Sequence, residues 1–352
     1  MHGSARRASG MTGKRQLVAR LFAASGLARL LLRWRRSSRQ TLTVLAYHRI
    51  YNIHDESSFP FDPELISAGT EAFTWQMEFV RRYFSPIRFD DLLKALDHGT
   101  PLPPRSLIVS FDDGHLDNYT HAFPILKSLG VPATIFLSTG YIGASGTFWF
   151  DRLATLLYHA PEGELDIAAL SLRLVLDRTV ATRRSAAETL LSRLKRLPNT
   201  QRLDVLDRLE AQLSRHVPAA AAQASGTLTW AQVQEMSRAG IEFGSHTVTH
   251  PILTMLSDAQ LHDELAESKR VIEQQIGRPA PVLAYPVGGS HDFDRRVIAQ
   301  AKGCGYRLGV SYLSGVNPWN TLDAFSIKRL HVERYTTRSD FAAMLALPRL
   351  FG

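Results

Sequence analysis

"SLIVSFDDGHLDN", residues 106–118, runs from an apolar, β-branched stretch into two neighbouring carboxylates, Asp112 and Asp113, and then a glycine. An apolar run of this length without polar alternation reads as a strand buried on both faces. Like charges at its mouth repel each other and resist desolvation, so they need a compensating partner. In parallel α/β folds the carboxyl ends of strands are where active sites gather, which gives these two residues a place to act.

Six further stretches read the same way: "TLTVLAYH" (41–48), "ATIFLST" (133–139), "IEFGSH" (241–246), "PVLAYP" (281–286), "YRLGVSY" (306–312) and "SIKRLHV" (326–332). Helical patterns lie between them, several closed by glycine. Seven strands alternating with helices imply an α/β barrel rather than a small open sheet. The rhythm occupies residues 41–149 and 226–345, and "ESSFPFDPELISAG" (56–69) reads as a surface loop. Residues 150–225, rich in Leu, Ala and Arg at helical spacing, read as a helical insertion capping the active face.

The chain has 352 residues, 45% of them hydrophobic, enough for one large core or two average ones. A single cysteine, Cys304, excludes an internal disulfide and a cysteine-based zinc cage. The net charge of +8 is unevenly placed: residues 1–40 hold ten basic residues and no acid, leaving 31 basic against 33 acidic residues elsewhere. A nucleic-acid-binding body would spread its positive charge over a folded face, so no nucleic acid partner is expected.

The basic segment includes "KRQLVARLFAASGLARLLLRWRR" (14–36). Arg29 interrupts it too early for a transmembrane span, and "RWRRSSRQ" follows where a cleaved leader would carry small residues. It reads as an interfacial helix, with Leu, Phe and Trp in lipid and arginines on anionic headgroups. The other reading is a solvated basic extension or a helix packed on the body. The first implies peripheral attachment at the cytoplasmic face of the inner membrane, the second a cytoplasmic protein.

"GSHTVTHP" (244–251) places His246 and His250 after a strand, stopped by Pro251. Two imidazoles and one carboxylate are a common ligand set for a catalytic divalent metal. With the Asp-Asp-Gly of residues 112–114, one aspartate would bind the cation and the other remain ionised as a general base. The plainer reading of the pair is a helix N-cap plus a solvated acid.

Three stretches together, "SFDDGHLDNYTHAFPILKSLGVPATIFLSTGYIG" (110–143), "SHTVTHPILT" (245–254) and "LAYPVGG" (283–289), resemble the successive motifs of polysaccharide deacetylases, the NodB-homology group of carbohydrate esterases. The resemblance covers residues 41–335. It implies a distorted (β/α)7 barrel and metal-dependent removal of N-acetyl groups from amino sugars. By position it makes Asp112 the catalytic base, and Asp113, His246 and His250 ligands of zinc or a similar divalent ion. A backbone N–H near Tyr285 would stabilise the oxyanion.

The resemblance also calls for a histidine at a strand end to protonate the departing amine. His48, closing the first strand as in members with circularly permuted motif order, and His331, within the last strand, are the two candidates. Many members carry an arginine before the third motif that braces the base; here Ala284 and Val287 stand in that neighbourhood, and Arg329 either reaches the same aspartate from the last strand or lies at the surface. Ser245, Thr247 and Thr249 either orient the histidines or serve as turn residues. Trp149 and Phe150 either stack on a sugar or pack the core.

Three functional readings follow. The first is a de-N-acetylase of a polysaccharide or glycolipid amino sugar. The second is a non-catalytic glycan-binding barrel, and the third a deacylase of another bond: O-acetyl, formyl or cyclic amide.

Overall fold

The computed structural model of the chain describes residues 41–53, 59, 62–144, 147–219 and 226–351. Seven parallel strands close a barrel in chain order: β1 (Thr41–Tyr47), β2 (Ser106–Phe111), β3 (Ala133–Leu137), β4 (Glu242–Ser245), β5 (Val282–Ala284), β6 (Leu308–Ser314) and β7 (Ile327–His331). Closure is made by β1, which pairs with β2 through Thr43↔Leu107 to Tyr47↔Phe111 and with β7 through Leu45↔Leu330 and Ala46↔His331. The barrel is uneven: β4 and β5 share one residue pair, Ser245 with Leu283, and the β6–β7 register shifts between Val310 and Ser314.

Alternation along the strands divides the core in two. Val44, Ile108, Phe136, Val282, Val310 and Ile327 form one cluster inside the barrel, completed by Phe89 and Leu92 of a helix that spans Phe89–His98. Leu45, Tyr47, Val109, Phe111, Ile135 and Leu330 face outward, against surrounding helices such as Thr70–Tyr83 and Phe123–Leu129. The inward parity continues past Val44 to His48, past Ile108 to Asp112, and past Ile327 to Arg329 and His331. One face of the sequence therefore delivers these side chains to the same end of the barrel.

Residues 149–213 build a unit with its own apolar cluster, including Leu153, Leu157, Leu165, Leu174, Leu190 and Leu206. It contains helices Trp149–His159, Val180–Leu194 and Asn199–Leu213. The expectation of a purely helical insertion needs correction, because an antiparallel hairpin joins Gly163–Ile167 to Leu172–Leu176. Its buried residues Leu165, Ile167, Leu174 and Leu176 recur at period two. Buried Arg183 ties the unit together by donating to the Leu157, Tyr158 and Ala160 carbonyls at 2.8, 3.0 and 2.8 Å, the last groups of the first helix.

Part of the expected 56–69 loop is regular: Ile66–Ala68 pairs in parallel with Arg49–Ile50. No helix among the described residues is long and apolar enough to cross a membrane. The segment 1–40, read above as interfacial, lies outside the described residues.

Candidate active site

Asp112 and Asp113 follow the last residue of β2 and are buried. Arg329, at the inward parity of β7, is fully buried and grips Asp112 with both guanidinium nitrogens, Nη1 to Oδ1 at 2.7 Å and Nη2 to Oδ2 at 2.8 Å. Its Nε donates to the Ser311 carbonyl at 2.9 Å, which fixes the fork in plane. Of the two readings of Arg329, the buried one holds. Burial alone would raise the Asp112 carboxyl, but the Arg329 charge, His246 and the Arg329 hydrogen bonds bring it down to about 2.

His48 lies across from this pair, with Nε2 3.9 Å from Asp112 Oδ2. The tail of the opening motif holds it there. Asn118 donates to the His48 carbonyl at 2.8 Å, and Asp117 accepts from the Ile50 N–H at 2.9 Å and from Arg49 at 2.8 Å. Burial pulls the His48 ring below its ordinary value, against the opposing pull of Asp113 and Asp112. His331 shares the inward parity but stacks on Tyr312, ring centroids 3.7 Å apart and planes 9° apart, with Nδ1 3.4 Å from Ser314 Oγ. Tyr312 in turn meets the edge of His48 at 5.7 Å and lies beneath Arg329 at 5.3 Å.

Asp113, His246 and His250 converge, each offering one donor atom within 4.8 Å of the others. Asp113 Oδ1 lies 3.6 Å from His246 Nε2 and 3.4 Å from His250 Nε2, and it accepts no hydrogen bond among the described residues. His246 Nδ1 is 2.8 Å from the Ala284 carbonyl, which can only accept, so Nδ1 carries a proton and Nε2 is the nitrogen turned to Asp113. Burial drives His250 down to about 3 and leaves it neutral. Burial opposes the Asp113 charge, yet His115, His250 and His48 hold that carboxyl well below the usual range. An ionised oxygen without a donor beside the Nε2 atoms of two histidines is a donor set that fits a divalent cation.

The serine and threonines of the histidine turn act on its backbone rather than on the rings. Ser245 Oγ accepts from the Thr247 N–H at 3.1 Å, and Thr247 Oγ1 from the His250 N–H at 3.2 Å. Glu264, which nothing local in the sequence marks, accepts from the Val248 and Thr249 N–H groups at 2.7 and 2.9 Å. Trp149 and Phe150 are buried, which favours the packing reading: Trp149 Nε1 donates to the His250 carbonyl at 3.1 Å and Phe150 meets the His250 ring at 5.2 Å. His115, also absent from the expected set, brings Nε2 to 3.0 Å from Asp113 Oδ2.

The expectation at Tyr285 needs correction. Its N–H extends the β5–β6 ladder by donating to the Val310 carbonyl at 3.0 Å, and its hydroxyl donates to the Phe325 carbonyl at 3.0 Å. Pro286 has no N–H, and the Gly288 N–H turns back to the Pro286 carbonyl at 2.6 Å. The first N–H beyond the strand that meets no acceptor among the described residues is that of Val287. This β-branched residue sits at φ 62°, a costly conformation. Asp113 (φ 76°), Thr247 (φ 68°) and His250 (φ 54°) share that left-handed region, so backbone strain concentrates at this end of the barrel.

Comparison with known proteins adds an independent line. A family profile described as "Polysaccharide deacetylase" matches residues 99–170 and 198–309, a span that contains Asp112, Asp113, His246 and His250 but neither His48 nor Arg329. YxkH of Bacillus subtilis (strain 168), named as a polysaccharide deacetylase, is 22% identical over 241 residues, 68% of this chain and 56% of that protein. The poly-beta-1,6-N-acetyl-D-glucosamine N-deacetylase of Escherichia coli (strain K12) is 32% identical over 84 residues, 24% of this chain and 12% of that protein. The chain thus spans little more than half the length of the first of these relatives and far less of the second. Among solved structures, the Streptococcus pyogenes deacetylase PplD in complex with acetate superposes with a TM-score of 0.58 at 18% identity, covering 90% of this chain and 100% of that one. At that identity the likeness speaks for the fold alone. Because the profile takes in more than half of the chain, including both aspartates and both histidines of the site, the chain belongs to the polysaccharide deacetylase family.

Proposed function

We propose that this barrel is a metal-dependent hydrolase that removes N-acetyl groups from the amino sugars of a polysaccharide or a lipid-linked glycan. The observation that carries the reading is the pairing of roles on adjacent residues: Asp113 Oδ1 faces the Nε2 atoms of His246 and His250 without a donor, while Asp112 is kept ionised by Arg329. Asp113, His246 and His250 would hold the ion, of the zinc type, and such an ion polarises a carbonyl and acidifies water. Asp112, anionic and anchored, accepts the proton of the attacking water. His48, 3.9 Å from Asp112, returns a proton to the departing amine. Arg329 keeps the base from being neutralised by its own burial, and the Val287 N–H, the first donor past β5 left unclaimed among the described residues, would stabilise the oxyanion.

The amino-sugar substrate draws support from the Escherichia coli relative's name. The lipid-linked form and a peripheral position at the inner membrane rest on the basic segment 1–40. Metal-loaded protein incubated with chitooligosaccharides and with a lipid-linked amino sugar should release acetate. Formate release, or hydrolysis of an O-acetyl or cyclic amide substrate alone, would move the reading to another bond. Silence on every substrate with the ion bound would favour a glycan-binding barrel. Full activity in Asp112→Asn would overturn the base assignment. Co-sedimentation with anionic vesicles that persists after removal of residues 1–40 would sink the attachment idea.

A further inference from the structure

We propose that His115 is a positioning residue that decides which oxygen Asp113 presents to a bound divalent ion; the inference rests on the metal-site reading above. The contact at 3.0 Å joins His115 Nε2 to Asp113 Oδ2, and an ionised carboxylate only accepts, so the nitrogen is the donor. The hydrogen bond occupies Oδ2 and leaves Oδ1, the oxygen without a donor, between His246 and His250. Without the His115 N–H, a buried carboxylate would have an unsatisfied oxygen and freedom to turn about its last torsion, and the ligand would lose its orientation.

His115 is built for holding still. It is completely buried, and its backbone pairs with Thr227 in an isolated antiparallel bridge. On either side Leu116 N–H donates to the Gly226 carbonyl at 2.8 Å and Leu228 N–H to the Gly114 carbonyl at 2.9 Å. Its ring meets Phe148 edge-on at 5.5 Å. A histidine that served only to fill space would have no reason to aim a polar nitrogen at a carboxylate. Nor does it join the convergent donors itself, since the nitrogen facing the site is spent on Asp113.

The test uses the full chain stripped of metal, with Zn²⁺ alone as the probe, its affinity read by competition against a chromophoric chelator. His115→Gln places an amide N–H where the ring Nε2–H was and should keep the wild-type affinity. His115→Leu fills the space without a donor and should bind Zn²⁺ about 10–100-fold more weakly. Thermal melts of the metal-free proteins establish that each variant is folded. Should the leucine variant fail to fold, His115→Asn, whose amide is too short to reach, takes its place with the same expected loss. Unchanged Zn²⁺ affinity in a folded leucine or asparagine variant overturns the inference while leaving the metal site standing. A wild-type chain that binds no divalent ion overturns the site reading itself.

Discussion

Replacing Arg329 with methionine keeps most of the side-chain volume and removes the fork. The Asp112 carboxyl stands at about 2 in the folded chain against an ordinary 3.8. That difference stabilises the native state by about 2 kcal/mol at neutral pH. Arg329 supplies the largest part of that depression, with His246 and His48 adding to it, and breaking a buried pair costs about 3–5 kcal/mol. The folded pKa is depressed, so the stabilisation is complete above about pH 5 and is lost as pH falls through about 4 toward 2. The gap between wild type and Arg329→Met should therefore narrow in acid, by about 1 kcal/mol between pH 7 and pH 3. Urea unfolding at pH 7, 5 and 3 measures it directly. Arg329→Lys, which keeps a charge but not the two parallel bonds, should fall between. Equal stability of Arg329→Met and wild type at pH 7, or a gap that stays constant into acid, would refute the brace.

His48→Asn should lower kcat by about 10²–10⁴ as expected for loss of a general acid, with a much smaller effect from His331→Asn, and steady-state acetate release reads both. The reverse order would transfer the role to His331. Burial raises Asp62 to about 6 despite the hydrogen bond it accepts from the Glu64 N–H, so ionising it above that pH costs folding energy, up to about 3 kcal/mol at neutral pH. Asp62→Asn keeps the acceptor and should melt higher than wild type at pH 7.5 but not at pH 4; no difference at either pH would count against it. Trp149→Phe removes the N–H on the His250 carbonyl and should cost about 1 kcal/mol of stability, and it should also weaken Zn²⁺ binding. Unchanged melting and unchanged affinity would dismiss that contact.

The parts of the site carried by short segments were legible in the sequence, because strand ends and a four-residue histidine spacing put their donors together by local geometry. Asp112, Asp113, His246 and His250 belong to this class, as do strands such as β1, β2 and β3, whose burial on both faces leaves apolar runs; β7, with Lys328 exposed and Arg329 turned inward, is less plainly marked. Arg329 was ambiguous since its meaning depends on barrel closure, which sets β7 beside β1 and brings residues 217 positions apart into contact. Glu264 and His115 were silent because each acts through a contact between separate segments: one reaches back to the histidine turn from the next helix, Asp258–Ile276, the other is placed by the chain returning at residues 226–228. Tyr285 went wrong over a single residue of strand length, because the ladder claims its N–H. The hairpin at 163–176 was hidden by Leu- and Ala-rich composition, which weakens the contrast between period two and helical spacing.

The seam between the insertion and the barrel has a consequence for exchanging parts among relatives. Phe148, Trp149 and Phe150 touch His115 and His250, Asp151 lies 3.5 Å from Arg49, and residues 226–228 clasp the segment after Asp113. The outgoing and returning ends are therefore parts of the barrel's working end in everything but chain position. A graft cut before Phe148 would remove the supports of the recipient's histidines along with the recipient's own cap. One cut after Arg152 and rejoined before Gly226 would leave them in place, so the interchangeable module is shorter than the helical segment that encloses it.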